Sequence, residues 1–353
     1  MRLAISRQNL ARVLGAVGKV VESRNTIPIL GNVLLSAVPG QLQVTGTDLD
    51  ITATASVEAD VSEPGRVCVD VKLLADITKK AGADDITIGT DGEKLIVKSG
   101  RSRFSLATLP AEDFPTASEA KYDTEFDVDL AALFAPVQFA ISTEEVRFYL
   151  NGIFFKGEGS KLTAVATDGH RLSRHAVDGD HTFNGIIVPR KTVGVLPRGL
   201  VTVAVSENRI RVAAGDFVMV SKLIDGTFPD YDRVIPKAND KKILFGSDDM
   251  RQAASRVSVV SSERGRAVKM SFADGEAKLA VSNPDSGSAT DEIIVTYDGD
   301  PIEIGFNANY LTELVGIFPA GDIQLALADS GSPAVFTSEK APGLLAVLMP
   351  MRV

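Results

Sequence analysis

Apolar side chains recur along this chain in two alternating periods, and the alternation itself repeats. The opening LAISRQNLARVLGAVGKVV starts as an every-other-residue run and breaks at polar residues. It then sets Leu10, Val13, Leu14 and Val17 at helical spacing. A strand, an N-cap at Ser6 and an amphipathic helix are predicted. The same order returns near residue 125 in EFDVDLAALFAPVQFAI, through Phe126, Val128, Leu130, Leu133, Phe134 and Val137. It returns again near residue 243 in ILFGSDDMRQAASRVSVV. Caps are expected at Ser6, Asp127 and Ser247, spaced by 121 and 120 residues.

Other landmarks keep the same step. VDVKLLADITKKAG, VPRKTVGVLPRG and GFNANYLTELVGIFPAG each predict a strand end, a cap and a second helix. QVTGTDLDITATASV and TAVATDGHRLSRHAV both predict two strands around a tight turn, with Asp48 and Asp168 120 residues apart. The third copy, AKLAVSNPDSGSATDEIIVTY, keeps the pattern more loosely. Each unit closes on a strand and a proline, in FSLATLPAEDFP, VSKLIDGTFPDY and LLAVLMPMRV, and polar stretches at 117–124 and 236–242 divide the units. Three domains are expected, 1–120, 121–240 and 241–353, each an α+β unit of two helices and about eight short strands. Strands of this kind leave sheet edges that must be paired or covered, and a closed ring would remove them.

Composition narrows the setting. A hydrophobic share of 44% with 24% charged residues suits a folded chain in water. No run approaches the ~18 apolar residues of a membrane span. Arginines occupy the N-terminus where a signal peptide needs apolar residues. The lone Cys68 offers no internal disulfide, so a cytoplasmic protein is expected. The net charge of −9 argues against a uniformly basic surface but leaves room for one positive face. Basic residues gather in the helical segments, at Arg7, Arg12, Lys19, Arg24, Lys72, Lys79, Lys80, Arg190, Lys191, Arg198, Arg251 and Arg256. Acidic residues gather in the connecting segments SEPG, GADD, PAED and NPDSGSATDE.

The stretch VATDGHRLSRHAV concentrates candidate chemistry: Asp168, His170 and His175 suggest a metal site or a metal-dependent hydrolase. Against this, TDG is a turn signal, in which the aspartate serves the backbone and Gly169 supplies positive φ. Histidines five apart fall on opposite faces of one continuous strand. No HExxH and no paired cysteines accompany them, so no metal or other cofactor is expected. GAVGK at 15–19 lacks the spacing and the Ser or Thr of a phosphate loop.

IPILGNVLL (27–35), GTDLDI (46–51), KSGRSRFSLATLPAEDFP (98–115), VRFYLNGIFF (146–155), VATDGHRL (165–172), DGTFPDYDRVIP (225–236), IGFNANYL (304–311) and VLMPMRV (347–353) stand in one collinear order. Together they resemble the bacterial DNA polymerase III β subunit family, the sliding clamps. The resemblance implies a head-to-tail homodimer forming a ring of six like domains, with helices lining a hole for double-stranded DNA. It implies a processivity factor and not an enzyme, with the polymerase III catalytic subunit, a clamp loader, and other polymerases and repair proteins as partners.

The resemblance also carries residues. A partner-peptide pocket would have an apolar floor of Leu150, Thr167, Leu172, Pro229, Val234, Val347 and Met349. Its rim would be Arg147, Gly169, His170, Arg171, Arg233, Asn307, Tyr310, Pro350, Met351 and Arg352. DNA would pass near Arg24, Lys72, Arg147, Phe148, Tyr149 and Lys191. The dimer seam would set Arg101, Arg103 and Phe104 of one copy against Val259, Val260, Asp291 and Glu292 of the other. A duplicate clamp specialised for repair or antibiotic resistance is the alternative within the family.

Overall fold

The structure is a computed structural model and describes residues 1–22, 26–115, 120–260 and 267–352. The first repeat runs β1 (Arg2–Ser6), α1 (Arg7–Val17), β2 (Asn32–Val38), β3 (Gln41–Thr47), β4 (Ile51–Glu58), β5 (Asp60–Glu63) and β6 (Gly65–Asp70). It closes with α2 (Val71–Lys80), β7 (Asp85–Asp91), β8 (Lys94–Ser99) and β9 (Ser102–Leu109). The second runs β10 (Thr124–Val128), α3 (Leu130–Phe134), β11 (Gly152–Glu158), β12 (Lys161–Thr167), β13 (Arg171–Asp178) and β14 (Phe183–Pro189). It closes with α4 (Arg190–Val195), β15 (Val201–Val205), β16 (Arg209–Ala214) and β17 (Phe217–Lys222). The third runs β18 (Lys241–Gly246), α5 (Ser247–Ser258), β19 (Ala267–Ala273), β20 (Glu276–Asn283), β21 (Gly287–Ile294) and β22 (Ile302–Asn307). It closes with α6 (Ala308–Val315), β23 (Asp322–Leu327), β24 (Ala334–Thr337) and β25 (Leu344–Leu348). Helices packed on antiparallel sheets therefore occur three times, in the order the periodicity predicts.

By packing, the chain divides into two units, 1–129 with 194–223, and 130–193 with 224–353. The first holds a thirteen-stranded antiparallel sheet in the order β10-β15-β16-β17-β4-β3-β2-β6-β9-β8-β7-β1-β5. The second holds an eight-stranded sheet, β14-β11-β12-β13-β25-β24-β23-β18, and a four-stranded sheet, β21-β20-β19-β22. The units cut through the second repeat because its two edges are both paired. β17 joins β4 of the first repeat, and β13 joins β25 of the third.

Leu10, Val13, Leu14 and Val17 of α1 are fully buried against Leu74 and Ile77 of α2 and the strands beneath. Burial of each such side chain stabilises by about 1.5–3 kcal/mol. Gly46 on β3 permits this contact, since a Cβ there would stand 2.7 Å from Val17 Cγ1. In the third repeat Met250, Ala253 and Val257 of α5 pack with Leu311 and Leu314 of α6 in the same manner.

Of the three expected caps, one holds. Ser6 accepts from Asn9 N at 3.2 Å. Asp127 lies inside β10, where it accepts from the Thr202 hydroxyl at 2.7 Å, and α3 begins only at Leu130. Ser247 is the first residue of α5, not its cap. Its hydroxyl accepts from Gly321 N at 3.2 Å, and Gly246 precedes the helix without a side-chain bond. Asp70 and Asn307 do cap α2 and α6. The second repeat's helices are short, five and six residues. Pro136 bars continuation of α3, and Gly194 with Pro197 ends α4.

Candidate functional site

The turn between β12 and β13 is built by its own polar side chains. Asp168 Oδ1 accepts from His170 N at 2.9 Å and Arg171 N at 3.0 Å. The Thr167 hydroxyl donates to Arg171 O at 2.8 Å and accepts from Gly169 N at 3.1 Å. Gly169 has φ +89°. The first repeat folds the same turn with Thr47 and Asp48, and there Leu49 holds φ +80°. Asp168 thus organises backbone, as its place in a TDG turn predicts. The two histidines do not share a strand, because β13 starts at Arg171 and leaves His170 in the exposed turn. His175 lies on β13, half-buried, and its Nδ1 is 2.9 Å from Leu133 O. A carbonyl can only accept, so Nδ1 carries the proton. Among the described residues no cluster of three His, Cys, Asp or Glu could hold a metal.

Beside this turn lies an apolar cluster of Leu150, Val165, Leu172, Ile187, Phe228, Tyr231 and Val347, with Phe154 stacked on Phe228 at 5.0 Å. Of the predicted floor, Leu150, Leu172 and Val347 belong to the cluster and Thr167 is half-buried beside it. Pro229, Val234 and Met349 are exposed at its margin. Phe228 and Tyr231 escaped the sequence reading, although both flank Pro229 in GTFPDY. Val165 is two residues before Thr167 on β12, a step that keeps it on the same face.

The rim is held by charge. Arg147 donates to Glu144 at 2.9 Å and to Asp168 O at 3.3 Å, and a Cβ on Gly169 would lie 2.7 Å from Arg147 Nη1. Arg171 bonds Asp168 at 3.0 Å and also Glu313, and its guanidinium lies over Tyr310 at 4.3 Å and Phe139 at 4.9 Å. Asn307 turns its side chain to the amides of Asn309 and Tyr310, so its work is capping α6. Arg233 pairs with Asp230 at 2.7 Å. The C-terminal segment laces along this rim: Met349 N donates to His170 O and Met351 N to Gly305 O, both at 2.8 Å. Pro350 and Arg352 follow the same strip.

Of the residues expected near DNA, Arg24 lies outside the described residues. Lys72 is exposed on α2, and Lys191 is half-buried on α4. Arg147 is already engaged by Glu144, while Phe148 is half exposed and meets Tyr149 edge-on at 5.8 Å. Several helix cations are likewise paired: Arg7 with Asp84, Arg12 with Asp216, Arg251 with Asp248 and Arg256 with Asp291. Lys72, Lys79 and Lys80 of α2 make no ion pair among the described residues.

At the expected seam, Arg101 and Arg103 are exposed and Phe104 is half-buried against its own core. Val259 is 82% exposed, but Val260 packs on the core and its carbonyl accepts from Asn283. Residues 261–263 of that segment lie outside the described residues. Asp291 accepts from Arg256, which holds its carboxyl below the usual range, and Glu292 is exposed. Ile294, 86% exposed on the edge strand β21, is a further apolar residue that alternation in TDEIIV could have singled out.

The sequence matches the DNA polymerase III beta subunit in all three parts: its N-terminal domain over residues 1–118, its central domain over 127–230 and its C-terminal domain over 232–352. The chain belongs to the DNA polymerase III beta subunit family. The beta sliding clamp of Caulobacter vibrioides is 41% identical over 372 residues, and that of Escherichia coli K12 is 37% identical over 367, each covering both chains completely. The crystal structure of a sliding clamp from Bartonella birtlesii bound to griselimycin superposes with a TM-score of 0.96 at 41% identity, again over both full chains. Full-length likeness of this kind favours the sliding clamp over the hydrolase and the specialised duplicate. Among the described residues no helix is long and apolar enough to cross a membrane.

Proposed function

We propose that two copies of this chain close head to tail into a ring around duplex DNA and tether the replicative polymerase, the clamp loader and other partners. The partners dock at the apolar cluster beside residues 165–172. The ring performs no chemistry of its own, and the cytoplasm is its setting. The observation that carries this reading is the repetition of one edge contact. β4 of the first repeat pairs with β17 of the second, and β13 of the second pairs with β25 of the third. Their remaining counterparts, β21 and β9, keep an open edge: among the described residues β21 pairs only with β20, and residues 102–107 of β9 pair only with β8. Joining β21 of one copy to β9 of the next repeats the contact a third time, and two such joints leave no open edge between copies.

Register follows from the same equivalence. Ala55 faces Phe217 and His175 faces Leu344 at the two internal joints. Traced through the hairpins, the corresponding pair is Asp291 with Ser102 of the second copy. That register brings Ala289 opposite Phe104 and Glu292 opposite Arg101. Val259 and Ile294 supply apolar surface near this line. Val259→Glu combined with Ile294→Glu should give a folded monomer by light scattering. A dimer of unchanged mass would contradict the seam.

DNA is held by enclosure and by unpaired charge on the helices, α2 above all. Such contacts act through counterion release, so direct affinity should be weak and salt-sensitive.

A further inference from the structure

The sheet face that carries the apolar cluster continues past it into charged ground. Across β12, β13 and β25, Thr167, Leu172 and Val347 are lateral neighbours. The next row on that face is Phe154, Val165, Arg174 and Leu345, and the one beyond it is Lys156, Thr163 and Ala176. Successive rows on one face lie about 7 Å apart. An extended chain anchored on the first row therefore sets its side chains on the following rows two and four residues away.

Arg174 of the second row and Lys156, Thr163 and Ala176 of the third line a groove of about 800 Å³ beyond Tyr231, bounded also by Asp232 and Pro342. Tyr231 belongs both to the apolar cluster and to the groove wall, so the groove begins where the cluster ends. The cations in the groove are not equally free. Lys161 and Lys156 hold Asp178 and Glu158 at 2.5 and 2.7 Å. Arg174 is poorly satisfied: its Nε has no hydrogen-bond partner, and Asp232 stands 4.0 Å from Nη1, an ion pair without a hydrogen bond. With Nε buried, the terminal Nη groups of this guanidinium are the ones suited to meet a carboxylate with paired N–H···O bonds.

We infer that this groove receives an acidic side chain of the partner segment, two to four residues from the apolar anchor, with Arg174 as its principal contact and Lys156 beside it. The inference rests on the cluster being the partner pocket. It assigns the groove the task of ranking partners that share an anchor but differ in flanking charge.

Two labelled peptides test it by fluorescence anisotropy with the full-length protein. Both carry Gln-Leu-Ala-Leu-Phe as an anchor, a polar residue followed by large apolar side chains chosen to fill the apolar cluster; one is flanked on both sides by Gly-Asp-Gly-Asp, the other by Gly-Asn-Gly-Asn. The acidic peptide should bind about tenfold tighter, as a charge-assisted bond of about 1.5 kcal/mol implies. In Arg174→Gln that advantage should fall below about twofold while affinity for the neutral peptide stays put, as expected when one local charge pair is removed. Equal binding of both peptides to the unaltered protein, or an acidic advantage that survives Arg174→Gln, would remove the groove and leave the pocket standing. Failure of both peptides to bind at all would remove the pocket, and the groove with it.

Discussion

Position 169 favours glycine for its backbone at φ +89°, and a Cβ added there would stand 2.7 Å from Arg147 Nη1 and push that guanidinium aside. Gly169→Ala should cost about 1–2 kcal/mol of stability and loosen the hold of Arg147 on the Asp168 carbonyl. Urea denaturation measures the first effect; a drop of about tenfold in anchor-peptide affinity would report the second. Leu49 offers the reverse test, because it sits at φ +80° in the equivalent turn and is half exposed. Leu49→Gly should gain up to about 1 kcal/mol by relieving left-handed strain, and a loss of stability would argue that its side chain matters more than its backbone. Cys68 lies fully buried, and burial pushes its thiol up to about 11. At about pH 8 it should resist a disulfide reagent in the native protein and react once urea unfolds the chain. Turn chemistry at this scale was readable in TDG, because local side chains make the whole structure. The caps predicted at Asp127 and Ser247 fail because partners distant in sequence, the Thr202 hydroxyl and Gly321 N, claim those side chains.

At the scale of elements, α2 holds the least compensated positive charge. Replacing Lys72, Lys79 and Lys80 by Gln should weaken DNA association and flatten its salt dependence by about 0.9 for each phosphate no longer neutralised. An unchanged slope would shift DNA contact to other helices. The C-terminal strip is secured by two backbone bonds, at His170 and Gly305, as well as by its side chains. Deleting Met349 through Val353 should abolish anchor-peptide binding while the seam, distant in sequence, still dimerises; undiminished affinity would contradict the pocket. The Arg256–Asp291 bond ties α5 to β21, and it depresses the carboxyl of Asp291. Its contribution is therefore present above the unfolded carboxyl range, near about pH 4, and is lost as pH falls through the lower folded value. In the monomeric double-glutamate background, the stability gap between Asp291 and Asp291→Asn should close on acidification. A constant gap from about pH 6 to about pH 2 would contradict the tie.

For the whole molecule, three repeats were legible because strand and helix periods change in the same order each time. The lengths of α3 and α4 were less so, since Pro136, Gly194 and Pro197 cut short a pattern whose apolar spacing runs on. Pocket side chains on alternate strand positions could have been found by extending the period, as Val165 shows on β12; Phe228 and Tyr231 were marked only by their place beside Pro229. What periodicity alone cannot supply is pairing between distant strands, and β4 with β17 and β13 with β25 are the contacts from which the ring is argued. Enclosure of DNA is the consequence that matters most. With the protein loaded onto a nicked circular plasmid by a clamp loader and ATP, gel filtration in physiological salt should recover it with the DNA, and one double-strand cut should release it within minutes. Equal loss from circular and cut DNA, or retention after the cut, would contradict a closed ring that holds by threading.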